Sequence, residues 1–154
     1  IGMGKTSTSG HEGYGLNYLM KNKDLIIMNK KNQISHAKKI ALQMYDNGYT
    51  EPIQRNDIKV LGQQALGAFY VGADSMLVGG YISDHDKKIA KKISNILAGG
   101  NLSQSTLVSE QYLLDLEREA FLSLCGERKT LERIQFMLKN GKPLRNWYER
   151  SLYN

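Results

Sequence analysis

Cysteine and proline are scarce in this chain, which has one cysteine and two prolines in 154 residues. A single thiol cannot close an internal disulfide, and Cys125 has no partner at the CxxC spacing of zinc and redox sites. Hydrophobic runs are also short, and none approaches the ~18 residues that span a bilayer. We therefore expect a protein of the reducing cytoplasm with no membrane partner, in which Cys125 is a small apolar residue late in a helix.

The charge balance is basic, with a formal net charge of +6 and a pI of about 9.3. Such a balance favours anionic partners, which include nucleic acid, phosphorylated small molecules and acidic subunits, but it does not choose among them. Neither a turn-linked recognition helix nor a sheet bearing aromatic residues is evident, which disfavours nucleic acid. A basic helical module that binds nucleic acid or an acidic protein is the alternative function.

Apolar residues recur at helical spacing along most of the chain, which predicts a mainly α fold. The predicted helices cover residues 11–20, 33–47, 58–78, 84–98, 110–125 and 129–140. The helix over 58–78 is the most apolar, so we expect it to be central. Residues 25–28 are typical of a short extended run after a turn. A parallel sheet is not supported, because strands and helices do not alternate.

Local end signals support two of these helices. Ser83 followed by Asp86 resembles a capping box, with Asp in place of the usual Glu or Gln. Ser109 can cap the helix that follows it, where Val108 and Leu113 are spaced as a hydrophobic staple. The helix over 84–98 places isoleucines on one face and lysines on the other, and Lys91 and Lys92 can line an anionic groove. The four lysines of that face are Lys87, Lys88, Lys91 and Lys92.

Residues 2–7, GMGKTS, imitate a phosphate-binding loop without completing one. A P-loop needs an earlier glycine, which would lie before residue 1. A dinucleotide loop needs a Gly or Ala three positions after Gly4, where Ser7 stands. We therefore predict no nucleotide site here, and residues 1–10 are expected to form a loop that leads into a helix.

The titratable residues form no catalytic or metal-binding pattern. None of His11, His36 and His85 has metal-ligand spacing, and His85 is expected at the surface of a first helical turn. The acidic residues of the helix over 110–125 are expected on solvated faces, because paired catalytic acids need two carboxyl groups aimed into one pocket and the spacing does not indicate such a pair. These acidic residues are Glu110, Asp115, Glu117 and Glu119.

Four stretches resemble a known family. They are GGYISDHD at 79–86, LVSEQYLLDLEREAF at 107–121, and LERIQ at 131–135 with GKPLRN at 141–146. Together they resemble the C-terminal end of bacterial bifunctional 3-hydroxyacyl-CoA dehydrogenases of fatty-acid β-oxidation. In that family a dehydrogenase portion is followed by an enoyl-CoA hydratase/isomerase-like (crotonase) portion.

The resemblance implies that residues 1–146 are the helical C-terminal part of a crotonase-like α/β domain, as a fragment lacking the core sheet, with 147–154 as a tail. The parent would oxidise 3-hydroxyacyl-CoA with NAD and hydrate enoyl-CoA. The crotonase oxyanion hole and the dehydrogenase's NAD loop would lie upstream of residue 1. No catalytic residue is therefore assigned to this chain, and no cofactor is expected bound to it. The expected partners are the remainder of the parent chain, acyl-CoA substrate and further copies of the chain.

One binding contact follows from the resemblance. The last crotonase helix often ends in an aromatic residue followed by Lys-Arg-Lys-Pro, which contacts the adenine and phosphate of CoA. The matching end here is FMLKNGKP at 136–143, in which Asn140 and Gly141 replace the central basic pair. Lys139 and Lys142 are the remaining candidates for contact with CoA. Packing and assembly are the implied roles of the fragment, which is expected to be inactive alone.

Overall fold

A computed structural model describes residues 4–146, which divide into two compact units, residues 4–53 and residues 54–146. The predicted boundary at 146/147 falls at the end of the described residues, and the tail 147–154 lies outside them. The mainly helical prediction is confirmed, because six α-helices carry most of the described chain. None of these helices combines the length and the hydropathy needed to span a bilayer.

The first unit contains a capped short helix and a longer exposed one. Helix α1 covers Gly10–Gly15, a 3-10 turn covers Lys30–Asn32, and α2 covers Gln33–Asp46. Ser9 caps α1, because its Oγ accepts a hydrogen bond of 3.1 Å from the backbone N–H of Glu12. The Glu12 carboxylate in turn accepts from the backbone N–H and the hydroxyl of Thr8, both at 2.7 Å. Residues 4–9 therefore form a loop that caps a helix, as predicted for this part of the opening, whereas the helix predicted over 11–20 ends at Gly15.

The second unit contains four helices and a small antiparallel sheet. Its elements are β1 (Ile58–Val60), α3 (Gln63–Val78), α4 (Asp84–Ala98), β2 (Thr106–Val108), α5 (Glu110–Cys125) and α6 (Arg128–Asn140). The predicted bounds of α4 and α5 are confirmed to the residue. Their caps are also confirmed, since Ser83 and Asp86 form a reciprocal capping box and Ser109 accepts from the N–H of Tyr112.

The prediction of one helix over 58–78 is wrong at its start. Residues Ile58–Val60 form β1 and pair antiparallel with β2, so that Ile58 lies opposite Val108 and Val60 opposite Thr106. Gly62 separates the strand from α3 with a φ of +69°, a conformation that an L side chain rarely adopts. The predicted extended run at 25–28 joins no strand, although a turn precedes it at 21–23.

The buried core of the second unit is small. Its hydrophobic members come from β1, α3, α4 and the turn before α4, and they are Val60, Leu66, Ala73, Ile82 and Ala98. The C-terminus of α4 packs on β1 and α5, where Tyr112 donates a hydrogen bond of 3.0 Å to the carbonyl of Gly99. Helix α3 supplies two core residues but leaves Val71 and Val78 66% and 88% exposed.

Candidate functional site

Three stretches that are distant in sequence meet at the N-terminus of α4. Nη1 of Arg133 in α6 lies 2.6 Å from Oδ1 of Asp86, and Nη1 of Arg145 lies 3.5 Å from the same oxygen. The other carboxylate oxygen of Asp86 accepts from the backbone N–H and the hydroxyl of Ser83 at 3.0 and 2.8 Å. Nε of Arg133 also donates to Oδ1 of Asn146 at 2.7 Å. We call these five residues the Asp86 cluster.

The Asp86 cluster contains a buried ion pair whose polar groups are hydrogen-bonded. The side chain of Asp86 is 7% exposed and that of Arg133 is 17% exposed. Burial alone raises the pKa of Asp86, but the hydrogen bonds from Arg133 and Ser83 outweigh it, so this pKa lies below its ordinary value. Because the carboxylate is ionised and already paired, its contacts hold α6 and the segment after it against α4.

His85 lies beside this cluster and is buried, so the prediction of a surface position is wrong. Its side chain is covered by the first turn of α6, where Nε2 lies 2.9 Å from Oγ1 of Thr130. Burial, together with the positive charges of Arg133 and Lys88, lowers the pKa of His85 below its ordinary value. The imidazole is therefore held in its neutral form near pH 7.

A second feature is a groove between α3, α4 and α5, with a cavity volume of about 600 Å³. We call it the lysine groove. Lys87 and Lys91 reach a carboxylate of α3, since their Nζ atoms lie 2.6 and 3.9 Å from Oδ1 of Asp74. Lys91 also lies over the ring of Tyr70, 5.0 Å from its centroid. The residues that line the lysine groove include Tyr70, Lys87, Lys88, Lys91, Lys92 and Leu116.

The two lysines predicted to contact CoA lie elsewhere. Lys139 is in the last turn of α6 and Lys142 follows Gly141, which ends the helix with a φ of +63°. Both lysines are exposed, and neither lines the lysine groove or belongs to the Asp86 cluster. Beyond Pro143 the chain turns back along α6, where the amide of Asn146 donates to the carboxylate of Glu132 at 3.1 Å. Their contact with CoA stays a prediction.

The turn between β1 and α3 is the strand–glycine–helix unit nearest in form to a dinucleotide loop. It leaves no room for a pyrophosphate, because a Cβ on Gly62 would lie 2.7 Å from the backbone carbonyl of Gln104. The first N–H of the helix, that of Gln63, already donates to the carbonyl of Leu102 at 2.8 Å. The described residues of this turn do not fit NAD.

The acidic residues of α5 lie on exposed faces, as predicted. Asp115 pairs with Arg118 at 2.8 Å on the surface. No group of three or more His, Cys, Asp or Glu residues within 4–146 is arranged to hold a metal ion. Cys125 ends α5 and is half-buried.

Sequence reasoning missed Arg133 and Arg145 as partners of Asp86, and Asn146 as a partner of Arg133. All four residues lie in stretches that carry the family resemblance, since Asp86 ends GGYISDHD, Arg133 lies in LERIQ, and the other two end GKPLRN. The shared motifs were therefore the available signal, although nothing in them indicates which residues touch.

The comparisons with known proteins point to the dehydrogenase named in the resemblance. A curated protein from Bacillus subtilis (strain 168), named "Probable 3-hydroxyacyl-CoA dehydrogenase", is 45% identical to this chain over 146 residues. The match covers 95% of this chain and 18% of the relative. Neither a protein-family model nor a solved structure matches the chain. The chain is thus similar to less than a fifth of the length of a protein named a probable 3-hydroxyacyl-CoA dehydrogenase.

Proposed function

We propose that this chain is the helical C-terminal segment of a cytoplasmic fatty-acid β-oxidation enzyme. That enzyme would oxidise 3-hydroxyacyl-CoA with NAD and carry a crotonase-like, enoyl-CoA hydratase part. The observation that carries the proposal is the 45% identity to the Bacillus subtilis protein along 95% of the chain. NAD would bind upstream of this chain in the parent, as the resemblance implies, and the β1–α3 turn does not offer a second place for it, because the Gln104 backbone closes that turn.

Packing and assembly are the role that the described residues support best. The motifs shared with the family supply the Asp86 cluster, which fastens α4 to α6 through a paired, buried carboxylate. A cluster of this kind specifies how helices are joined and offers no unpaired acid or base for catalysis. We therefore assign the segment no catalytic residue.

Several apolar side chains of α3 and α5 are exposed. They support the proposal that the remainder of the parent chain would cover this surface. Val71 and Val78 lie seven residues apart on α3, a spacing that places them on one helix face. On α5, Phe121 and Leu122 are 56% and 63% exposed. Burying large apolar side chains stabilises an assembly by about 1.5–3 kcal/mol each. In the absence of that partner, the same surface favours self-association.

Contact with acyl-CoA would fall to Lys139 and Lys142. Both are exposed, as a phosphate contact requires, and Lys139 lies in the last turn of α6, where an ammonium group also interacts favourably with the helix dipole. Compact ammonium groups bind phosphate as point charges. The pair would hold the CoA end of the substrate and leave its acyl end to the parent's catalytic part.

Enzyme assays of the protein encoded by the complete reading frame test the proposal. We expect its purified product to form NADH from 3-hydroxyacyl-CoA and NAD, and the 154-residue chain alone to form none and to hydrate no crotonyl-CoA. A complete product without dehydrogenase activity would contradict the proposed parent. Hydration by the isolated chain would contradict the packing role.

The CoA contact is tested in the same complete product. Lys139→Gln with Lys142→Gln should raise the KM for acyl-CoA and leave kcat unchanged, because the contact would be equal in substrate and transition state. The matched control is Lys38→Gln with Lys39→Gln, an exposed lysine pair of α2. Equal KM values in the two double variants would remove Lys139 and Lys142 from the CoA site.

A further inference from the structure

We propose that the lysine groove binds an organic phosphate, with its phosphate groups on Lys91 and Lys92 and its organic part against Tyr70 and Leu116. The proposal goes beyond the β-oxidation role and does not depend on it. It concerns a site of the second unit alone, and it involves neither Lys139 nor Lys142.

The shape of the groove suits a small molecule. Its cavity volume of about 600 Å³ lies within the roughly 300–1,000 Å³ of small-ligand pockets. Three helices form its walls: α4 supplies the lysines, α3 supplies Tyr70, and α5 supplies Leu116 and Ala120. The α4 wall is mainly cationic but also carries the carboxylate of Asp84, and the aromatic and aliphatic side chains of α3 and α5 are accompanied by the carboxylate of Glu119.

The positions of the lysines are unfavourable for α4 by itself. Lys87 and Lys91 are four residues apart, and so are Lys88 and Lys92, which places like charges side by side on the helix surface. Like charges at this spacing destabilise a helix. Asp74 and Glu127 relieve the repulsion at Lys87 and Lys88, and an anion held by Lys91 and Lys92 would relieve what remains. Such a local conflict is characteristic of functional sites.

The neighbouring carboxylates neutralise only part of this charge. Nζ of Lys88 lies 2.8 Å from the carboxylate of Glu127. The carboxylate of Asp74 lies 2.6 Å from Nζ of Lys87 but 3.9 Å from Nζ of Lys91. Lys92 is half-buried and has no carboxylate within 4 Å among residues 4–146, although Glu127 lies near enough to interact with its charge. The cationic capacity that remains lies at Lys91 and Lys92. Two further carboxylates line the groove, those of Asp84 and Glu119.

These contacts favour a small organic phosphate over a polynucleotide. Phosphate oxygens accept charge-assisted hydrogen bonds from ammonium groups, and a planar or apolar group can cover the Tyr70 ring and Leu116. A polynucleotide needs a cationic tract that follows its backbone. Here the carboxylates of Asp84 and Glu119 lie in the same lining and interrupt such a tract.

Calorimetric titration of the 154-residue chain with ADP and with inorganic pyrophosphate tests the site at constant ionic strength. We expect saturable binding of ADP that is tighter than that of pyrophosphate, because only ADP has an organic part for Tyr70 and Leu116. Lys91→Gln with Lys92→Gln should weaken ADP binding by roughly tenfold or more, since two charge-assisted hydrogen bonds are lost.

Two controls keep the result interpretable. Lys38→Gln with Lys39→Gln removes the same charge from an exposed, adjacent lysine pair of α2 and should leave ADP affinity within about twofold. Lys92→Gln alone breaks no ion pair, so it tests the groove without disturbing the fold. The proposal is overturned by the absence of saturable ADP binding, by equal losses in the two double variants, by equal affinity for pyrophosphate and ADP, or by tighter binding of a single-stranded oligonucleotide than of ADP.

Discussion

Nη1 of Arg133 lies 2.6 Å from Oδ1 of Asp86, across 47 residues of sequence, and this ion pair joins α6 to the N-terminus of α4. Both side chains are largely buried. Removing one partner of a buried pair leaves the other charge without compensation, which costs far more than the loss of a surface pair. The cluster around Asp86 therefore dominates our expectations for the stability of the second unit.

Arg133→Met should lower the free energy of unfolding by about 2–3 kcal/mol, because Asp86 keeps only Ser83 and the more distant Arg145 as partners. The matched control is Arg118→Met, which breaks the exposed pair with Asp115. That change should cost less than about 1 kcal/mol. Urea unfolding followed by circular dichroism measures both, and similar losses would show that the Asp86 cluster does not fasten α6.

Ser83→Ala should destabilise the chain more than Ser109→Ala. Each hydroxyl caps a helix, and losing such a cap costs roughly 1 kcal/mol. Ser83 is buried and also donates to Asp86 at 2.8 Å, which adds about 1 kcal/mol to its loss. Thermal and urea unfolding of the two variants give the comparison. An equal or larger loss for Ser109→Ala would contradict the double role of Ser83.

His85 makes stability depend on pH in the mildly acidic range. Its pKa in the folded chain is lowered by burial, then by Arg133 and Lys88, against a small opposing effect of Glu127. The unfolded chain therefore binds this proton more readily, and the free energy of unfolding falls as the pH drops through the ordinary histidine pKa of about 6.5. His85→Gln should flatten this slope. The exposed control His36→Gln should retain it, and a wild-type slope in His85→Gln would rule out His85 as the cause.

Asp86 acts in a lower pH window. Its pKa in the folded chain is also lowered, so its stabilising effect is complete above the pKa of the unfolded carboxyl and is lost as the pH falls below about 4. Arg133→Met should weaken this acidic loss and should also reduce the slope that belongs to His85, because the charge of Arg133 helps to lower the pKa of His85. His85→Gln should change only the slope at higher pH. Unfolding measured at intervals across both windows separates the two residues.

The sequence predicted those features whose causes are local. Helix α4 begins at its own capping serine and ends at Gly99, and α5 begins after Ser109, so their bounds can be read from neighbouring residues. The strand at 58–60 has no such signal, because its partner is Thr106–Val108 and three residues are too short for a period. Its apolar residues continue into those of α3, which explains why they were assigned to a helix.

In the Asp86 cluster, too, only the local contacts could be predicted from the sequence. The capping box of Ser83 and Asp86 spans three residues and was predicted, whereas Arg133 reaches Asp86 only after α6 has packed on α4. His85 is buried for the same reason, since Thr130 that covers it lies 45 residues later. Burial and ion pairing between distant elements depend on packing, which a single sequence does not encode in any local spacing.

Self-association of the isolated chain should depend on the exposed face of α3. Val78 is 88% exposed, so Val78→Glu removes apolar surface without touching the core. Gln64→Glu adds the same charge to the same helix and removes no apolar side chain. Sedimentation velocity at increasing concentration should show oligomers for the wild type and Gln64→Glu, and fewer for Val78→Glu. A monomeric wild type would contradict the proposed apolar surface.

Gly99 should tolerate alanine far less well than Gly80, although both have a positive φ, +86° and +72°. That conformation alone costs an alanine about 1–2 kcal/mol at either position. A Cβ on Gly80 meets open space, whereas one on Gly99 would lie 2.5 Å from Cγ2 of Val60 in β1. Forcing this contact should add about 1–3 kcal/mol to the loss in Gly99→Ala. Urea unfolding measures the difference, and equal losses would mean that the end of α4 does not pack closely against β1.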